Sequence, residues 1–312
     1  MTTALAITTA ALPAPRHDLV AAFLAGRSPQ TLKAYRQDLE GFRVWTGAAT
    51  VEDASRALLE GGHGNANGTA LAWRASMVDA GAAPASINRR LAALRSLVKL
   101  ARTLGLVPWT LEVEGLEAVA YRNTKGPGVD AVRSMLAVVD ARTGPKAARD
   151  RAMLRCLFDL ALRRGELVAL DVAHVDLQAG TIAVMGKGRT ARESLTLPMP
   201  TLAAIRVWLE ARGTEPGPLF TTAHRGMRGV RLTGDGVADV LEELATAAGI
   251  KGKVRPHGLR HSSITRALDA AGGDVRMVAK FSRHRDVRTL TIYDDNRQDL
   301  AGRVASMVSL AL

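Results

Sequence analysis

Apolar residues recur at helical spacing along most of this chain and alternate in only one short region. Residues 1–16 are small, rich in Thr and Ala and broken by Pro13 and Pro15, which reads as a loose arm. The helical pattern starts at His17. Ser28 offers a hydroxyl N-cap, after which Leu32, Tyr35, Leu39, Phe42 and Trp45 share one face until Gly47. The run from Gly61 to Gly68 lacks that period and reads as a flexible loop. A third helix is predicted over Thr69–Ala80 and a fourth over Pro84–Leu104. The fourth carries Ile87, Leu91, Leu94 and Val98 on one side, with Arg89, Arg90, Arg95, Lys99 and Arg102 largely on the other.

Between Leu106 and Pro127 no period is sustained, and Pro108, Gly115, Gly126 and Pro127 interrupt the chain. This stretch is predicted to link two domains. Helices resume over Gly128–Val139 and Ala147–Leu162, with a short one after Gly165. Alternation then appears over Val172–Leu177, Thr181–Met185 and Ser194–Leu197, separated by turns at Ala179-Gly180 and Gly186-Lys187-Gly188. That pattern predicts a small antiparallel sheet. Helices return over Pro200–Ala211, Thr233–Ala248, Gly258–Ala271, Asp274–Phe281 and Asn296–Ala311. The fold class is therefore mainly α with a small antiparallel β-sheet. Its organisation is an arm (1–16), a helical domain (17–106), a linker (107–126) and an α+β domain (127–312).

At 312 residues and 47% hydrophobic, the chain can bury two ordinary cores. A net charge of +12 and a pI near 10.6 favour a polyanionic partner and turn the basic stripe on the fourth helix into a candidate binding face. One cysteine, Cys156, excludes an internal disulfide and any multi-cysteine zinc site. It lies among Leu154, Leu157 and Phe158 and reads as a buried apolar side chain. No run reaches the ~18 apolar residues a membrane span needs, and the first residues lack the basic start of a signal peptide. A cytoplasmic protein is expected.

The last quarter carries the chemistry. Pro256-His257-Gly258-Leu259-Arg260-His261 precedes Phe281-Ser282-Arg283-His284 and then Thr291-Ile292-Tyr293. Such a set supplies guanidinium donors for phosphate oxygens, imidazoles that can move protons and a phenol that can attack phosphorus. Two earlier blocks join it, Leu162-Arg163-Arg164-Gly165-Glu166-Leu167 and Gly186-Lys187-Gly188. The glycines around Lys187 are not a nucleotide-binding loop, because the spacing of that motif is absent. His257 and His261 stand four apart but lack the Glu of a metalloprotease pair, so no metal site is expected.

These five blocks, in this order and at these spacings, resemble the tyrosine recombinase (phage integrase) family. The four N-terminal helices resemble its core-binding domain at the level of pattern. The resemblance implies a helical DNA-binding domain followed by a catalytic domain. It also implies cleavage of duplex DNA through a 3′-phosphotyrosyl bond and rejoining to a new 5′ hydroxyl, without metal or nucleotide. Tyr293 is then the nucleophile, although forming its phenolate at neutral pH costs about 4 kcal/mol that nearby groups must offset. Arg163 and Arg260 are the implied clamp on the non-bridging oxygens, and Glu166 orients them. Lys187 protonates the leaving 5′ oxygen, His257 exchanges the tyrosine proton and His284 donates to the phosphate. The implied partner is double-stranded DNA with a specific target site, bound by four protomers on paired sites, the protein being a monomer or weakly associated off DNA. A type IB topoisomerase-like or hairpin-forming enzyme, or a non-catalytic DNA-binding protein of integrase descent, remains an alternative. Two departures stand out: Phe281-Ser282-Arg283-His284 replaces the usual Leu-Gly-His, and Ala161 replaces a glycine before Leu162-Arg163.

Overall fold

The computed structural model of the protein describes residues 18–27, 29–117, 126–186, 188–222, 229–284, 286–287, 290, 302 and 307–310. Ser28, Lys187, Tyr293 and most of the helix expected over Asn296–Ala311 lie outside the described residues. The chain divides into two compact units, Met1–Ala120 and Tyr121–Leu312.

In the first unit, α1 (Leu19–Leu24) starts where Asp18 Oδ1 accepts from the N–H groups of Val20 and Ala21 at 3.0 and 3.1 Å. It is followed by α2 (Pro29–Thr46), α3 (Val51–Glu60), α4 (Gly62–Asp79) and α5 (Pro84–Thr103). Phe23, Leu39, Phe42, Trp73, Leu91 and Leu94 meet in their shared core. The run from Gly61 to Gly68 is not a loop but the start of α4. Gly62 turns the chain at φ 76°, and Ala66, Ala70, Trp73 and Met77 then lie buried at helical spacing. Small residues hid that period from a hydrophobic count, yet they fit α4 closely against α3 and α5. Helix α3 is an addition to the expected elements. Its buried side is only Ala54, Ser55 and Leu58, too small for a clear apolar stripe.

The stretch after α5 packs on this same unit. Val107, Leu111 and Val113 are buried in its core. The Asn88 side chain grips Leu116 twice, donating to its carbonyl at 2.8 Å and accepting from its N–H at 2.7 Å. Arg95 donates to the Val113 carbonyl and Arg74 to that of Glu114.

The second unit contains α6 (Gly128–Asp140), α7 (Pro145–Asp159), α8 (Arg164–Val168), a three-stranded sheet, α9 (Met199–Arg212), α10 (Gly234–Ala247), α11 (Pro256–Ala270) and α12 (Val275–Ser282). The sheet runs antiparallel in the order β1 (Val175–Asp176), β2 (Thr181–Met185), β3 (Arg192–Thr196), with Ile182 opposite both Val175 and Leu195. Ile182 and Val184 point into the core, as alternation requires. The strand expected from Val172 begins instead as a 3-10 turn over Val172–His174, because His174 Nδ1 accepts from the Asp171 N–H at 2.8 Å and bends the chain. At the centre of the unit α7 buries Met153, Leu154, Cys156 and Leu157 completely. Burial pushes the Cys156 thiol far above its ordinary pKa, so it is a packing group rather than a reactive one.

Candidate active site

Three separated stretches of the second unit converge at one place. The first is the turn between α7 and α8. Arg163 precedes α8 in extended conformation, and Glu166 Oε2 reaches back to accept its N–H at 2.9 Å. Glu166 Oε1 accepts from Arg163 Nη1 at 2.6 Å. Its neighbour Arg164 is turned elsewhere, toward Asp235 and the Gly234 carbonyl at the start of α10. The structure thus separates two adjacent arginines, with Arg163, the one the family motif picks out, on Glu166 and Arg164 directed away.

The second stretch is the first half of α11, whose Leu259, Arg260, His261, Ser262 and Ser263 are all buried. Serine hydroxyls fasten it to its surroundings. Ser263 Oγ donates to the Phe158 carbonyl, and Ser262 Oγ accepts from the Gly128 N–H at 2.9 Å. The chain entering α6 passes so close that a Cβ on Gly126 would overlap the Gly258 carbonyl oxygen, which admits only glycine. Arg260 is only 2% exposed, and its guanidinium donates to the carbonyls of Ala161 and Ser282. His257 stands exposed in the first turn of the same helix.

The third stretch is the end of α12. Arg283 takes a left-handed conformation (φ 56°), the Arg283 N–H donates to the Lys280 carbonyl and the His284 N–H donates to that of Ala279. This turn delivers His284 to Arg260, with Nε2 3.4 Å from Nη2. Ser282 Oγ donates to the Val278 carbonyl at 2.7 Å, so it accepts from His284 Nδ1 at 2.8 Å. The neutral imidazole therefore carries its proton on Nδ1 and offers a lone pair at Nε2. Burial, then the charges of Arg260, Arg163 and Arg283 and a smaller effect of His257, hold the His284 pKa down to about 4. A negatively charged group placed among these arginines reverses the electrostatic part of that shift and favours the doubly protonated ring that can donate at Nε2.

Glu166 is shared between two cations, since Arg283 Nη2 donates to Oε2 at 2.9 Å. Burial alone raises its pKa, but Arg283 and the N–H and guanidinium of Arg163 outweigh burial and keep the carboxylate ionised. Three guanidinium groups against one carboxylate leave the cluster positive. Such a site binds an anion and stabilises charge developing on its oxygens. Among the described residues no three His, Cys, Asp or Glu side chains gather as a metal cluster would require.

The phage integrase family matches residues 129–299, and the phage integrase N-terminal SAM-like domain matches residues 24–104. The chain belongs to the phage integrase family, the tyrosine recombinases. This recombinase is 37% identical over 289 residues to tyrosine recombinase slr0733 of Synechocystis sp., covering 91% of each chain. It is 39% identical to tyrosine recombinase Synpcc7942_B2651 of Synechococcus elongatus, covering 88% of each. Its fold is that of the Tn1549 transposon integrase in complex with transposon right-end DNA. That match has a TM-score of 0.68 at 16% identity, over 94% of this chain and 98% of the other.

Of the residues named from sequence, Arg163, Glu166, Arg260 and His284 are thus brought together, and the charge of His257 reaches His284. Sequence reading missed Ser282, which sets the His284 tautomer, and the buried bonds of Arg283. The one available signal was the pair of departures at Ala161 and Arg283, which are the two non-glycine residues at positive φ among the described residues. In the first unit, Arg89 bonds to the buried Asp38 at 2.9 Å and Arg95 to the Val113 carbonyl. Arg90 lies on the arc of α5 that also carries Ile87, Leu94 and Leu97, with its Nε buried. Lys99 and Arg102 are exposed.

Proposed function

We propose that this tyrosine recombinase is a site-specific DNA recombinase that cuts and rejoins duplex DNA through a 3′-phosphotyrosyl intermediate, with no metal and no nucleotide. The observation that carries the reading is the positive cluster of Arg163, Arg260 and Arg283 against the one carboxylate of Glu166, with His284 set beside Arg260, built from three distant stretches of the chain. In the forward step Tyr293 Oη attacks phosphorus and gives its proton to His257. The bond from phosphorus to O5′ breaks, and that oxygen takes a proton from Lys187. Arg163 and Arg260 hold the non-bridging oxygens, and His284, protonated when the phosphate is bound, donates from Nε2. The same groups run the reverse step with the 5′ hydroxyl of another strand, so the bond energy is kept in the protein–DNA ester.

The relatives named as tyrosine recombinases favour recombination over relaxation or simple binding. Recombination of two duplexes calls for four protomers on paired sites, with a monomer or weak associate off DNA. Met307 and Val308, 64% and 61% exposed near the C-terminus, support assembly through that segment. No helix among the described residues is long and apolar enough to cross a membrane, and a cytoplasmic location fits an enzyme that acts on DNA.

The test begins by mapping covalent protein–DNA junctions on host DNA, which yields the target duplex. On a nicked version of it, wild type should leave a denaturation-resistant adduct, and Tyr293→Phe should bind equally but leave none. Arg163→Ala should slow cleavage on the order of 100-fold with little loss of affinity, whereas Arg164→Ala should not. An adduct formed by Tyr293→Phe, or equal losses in the two arginine variants, overturns these assignments.

A further inference from the structure

Arg283 occupies a backbone conformation, φ 56°, in which a Cβ crowds the neighbouring carbonyl and glycine is favoured. A long cation at such a position must be held by its surroundings, and it is. Its side chain is 2% exposed. Nη1 donates to the carbonyls of Leu160 at 3.0 Å and Phe281 at 3.1 Å. Nη2 donates to the Ala161 carbonyl at 3.1 Å and to Glu166 Oε2 at 2.9 Å. All four Nη protons are therefore committed inside the protein, and the buried Nε has no partner. Nothing on this guanidinium is left for a substrate.

Its effect must pass through Glu166. Paired with Arg163 alone, the carboxylate would cancel that charge and leave Arg260 as the one uncompensated guanidinium of the cluster. With Arg283 fixed on Oε2, one carboxylate is divided between two cations. Arg163, whose side chain is 30% exposed, keeps donors and charge for an incoming anion. We propose that Arg283 is a positioning residue for strand cleavage, the standing counter-ion of Glu166 that leaves the charge of Arg163 to the scissile phosphate. This rests on the recombinase reading above. Burial would push Glu166 up, and the charge of Arg283, followed by the N–H and guanidinium of Arg163, brings it down, in keeping with that role.

The experiment compares full-length wild type, R283Q, R283K, E166Q and the R283Q/E166Q double variant. Single-turnover cleavage of the mapped nicked duplex is measured with DNA affinity and thermal melting. R283Q should slow cleavage on the order of tenfold at unchanged affinity, R283K should keep most of the rate, and the double variant should cleave faster than R283Q because the unneutralised carboxylate is gone. Equal losses in R283K and R283Q, or a double variant no faster than R283Q, would make Arg283 a packing clasp and overturn the proposal.

A DNA-free readout separates this outcome from failure of the recombinase reading. The groups facing the His284 imidazole are Arg260 and His257 of α11, Arg163 before α8, and Ser282 and Arg283 beside it. Followed by NMR, the His284 titration should move to higher pH in R283Q and stay in place in R283K. If wild type forms no adduct, the recombinase reading fails, and this titration still decides whether Arg283 supplies charge to the site. An unchanged titration in R283Q overturns the proposal. Should R283Q not fold, the R283K titration decides: a value matching wild type supports the counter-ion, and a rise overturns it.

Discussion

At the scale of single residues, His284 couples the chemistry of the site to the stability of the fold. Its ring is surrounded by burial and by Arg260, Arg163 and Arg283, which together hold its pKa near 4 instead of 6.5. Between those two pH values the unfolded chain binds a proton that the folded chain refuses, so stability falls as pH falls through that window. Wild type should therefore lose melting temperature from pH 6.5 to pH 4 more steeply than His284→Gln, which cannot titrate there. Glu166 and His174 contribute equally to both proteins and cancel in the difference. Parallel melting curves in the two proteins would mean that His284 is not held neutral. The arginines and histidines themselves were legible from sequence, because motif spacing fixes residue type. What spacing could not give is the partner of each group. Arg283 acts on Glu166 from 117 positions away, and only the folded turn at Ala161 brings them together.

At the scale of elements, legibility followed the size of the buried side chains. Helix α5 shows its Ile87, Leu91, Leu94 and Val98 stripe plainly, and β2 shows its alternation. Helix α4 does not, because its buried face starts with Ala66 and Ala70 and its opening turns contain Gly62, Gly64 and Gly68. Alanines at a tight crossing carry as much packing information as leucines, but a hydrophobic period weights them weakly. If α4 seats closely for that reason, Ala70→Leu, placed where the native residue is wholly buried, should overpack the first unit and cost about 1–3 kcal/mol. Leu71→Ala, one position along on the exposed side, should change stability by no more than about 0.5 kcal/mol. Denaturant unfolding of the full chain, followed by tryptophan fluorescence, to which Trp45, Trp73 and Trp109 of the first unit contribute, reads both. Equal effects at the two positions would show that α4 is loosely seated.

At the scale of the whole molecule, a net charge of +12 supplies attraction to any duplex, independent of sequence. The fold decides which charges are available for it. Of the five basic residues on α5, Arg90 has its Nε buried, and the other four divide into two kinds. Arg89 is held by Asp38, whose carboxyl is wholly buried and pushed up in pKa by that burial against the pull of Arg89 and Arg90. Arg95 is spent on the Val113 carbonyl. Lys99 and Arg102, one turn apart, are exposed and in no ion pair among the described residues. If these two meet phosphates, replacing both with Gln should weaken binding to duplexes of any sequence alike. It should also lower the slope of log K against log salt by about 2, roughly 0.9 for each phosphate no longer neutralised. Arg89→Gln should behave differently, leaving that slope nearly unchanged while reducing stability, because it strands a buried carboxylate. Fluorescence titration of a random-sequence duplex across a salt series, beside denaturant unfolding of each variant, separates the two effects. A salt slope unaltered by loss of Lys99 and Arg102 would place the DNA-facing surface of the first unit elsewhere than on α5.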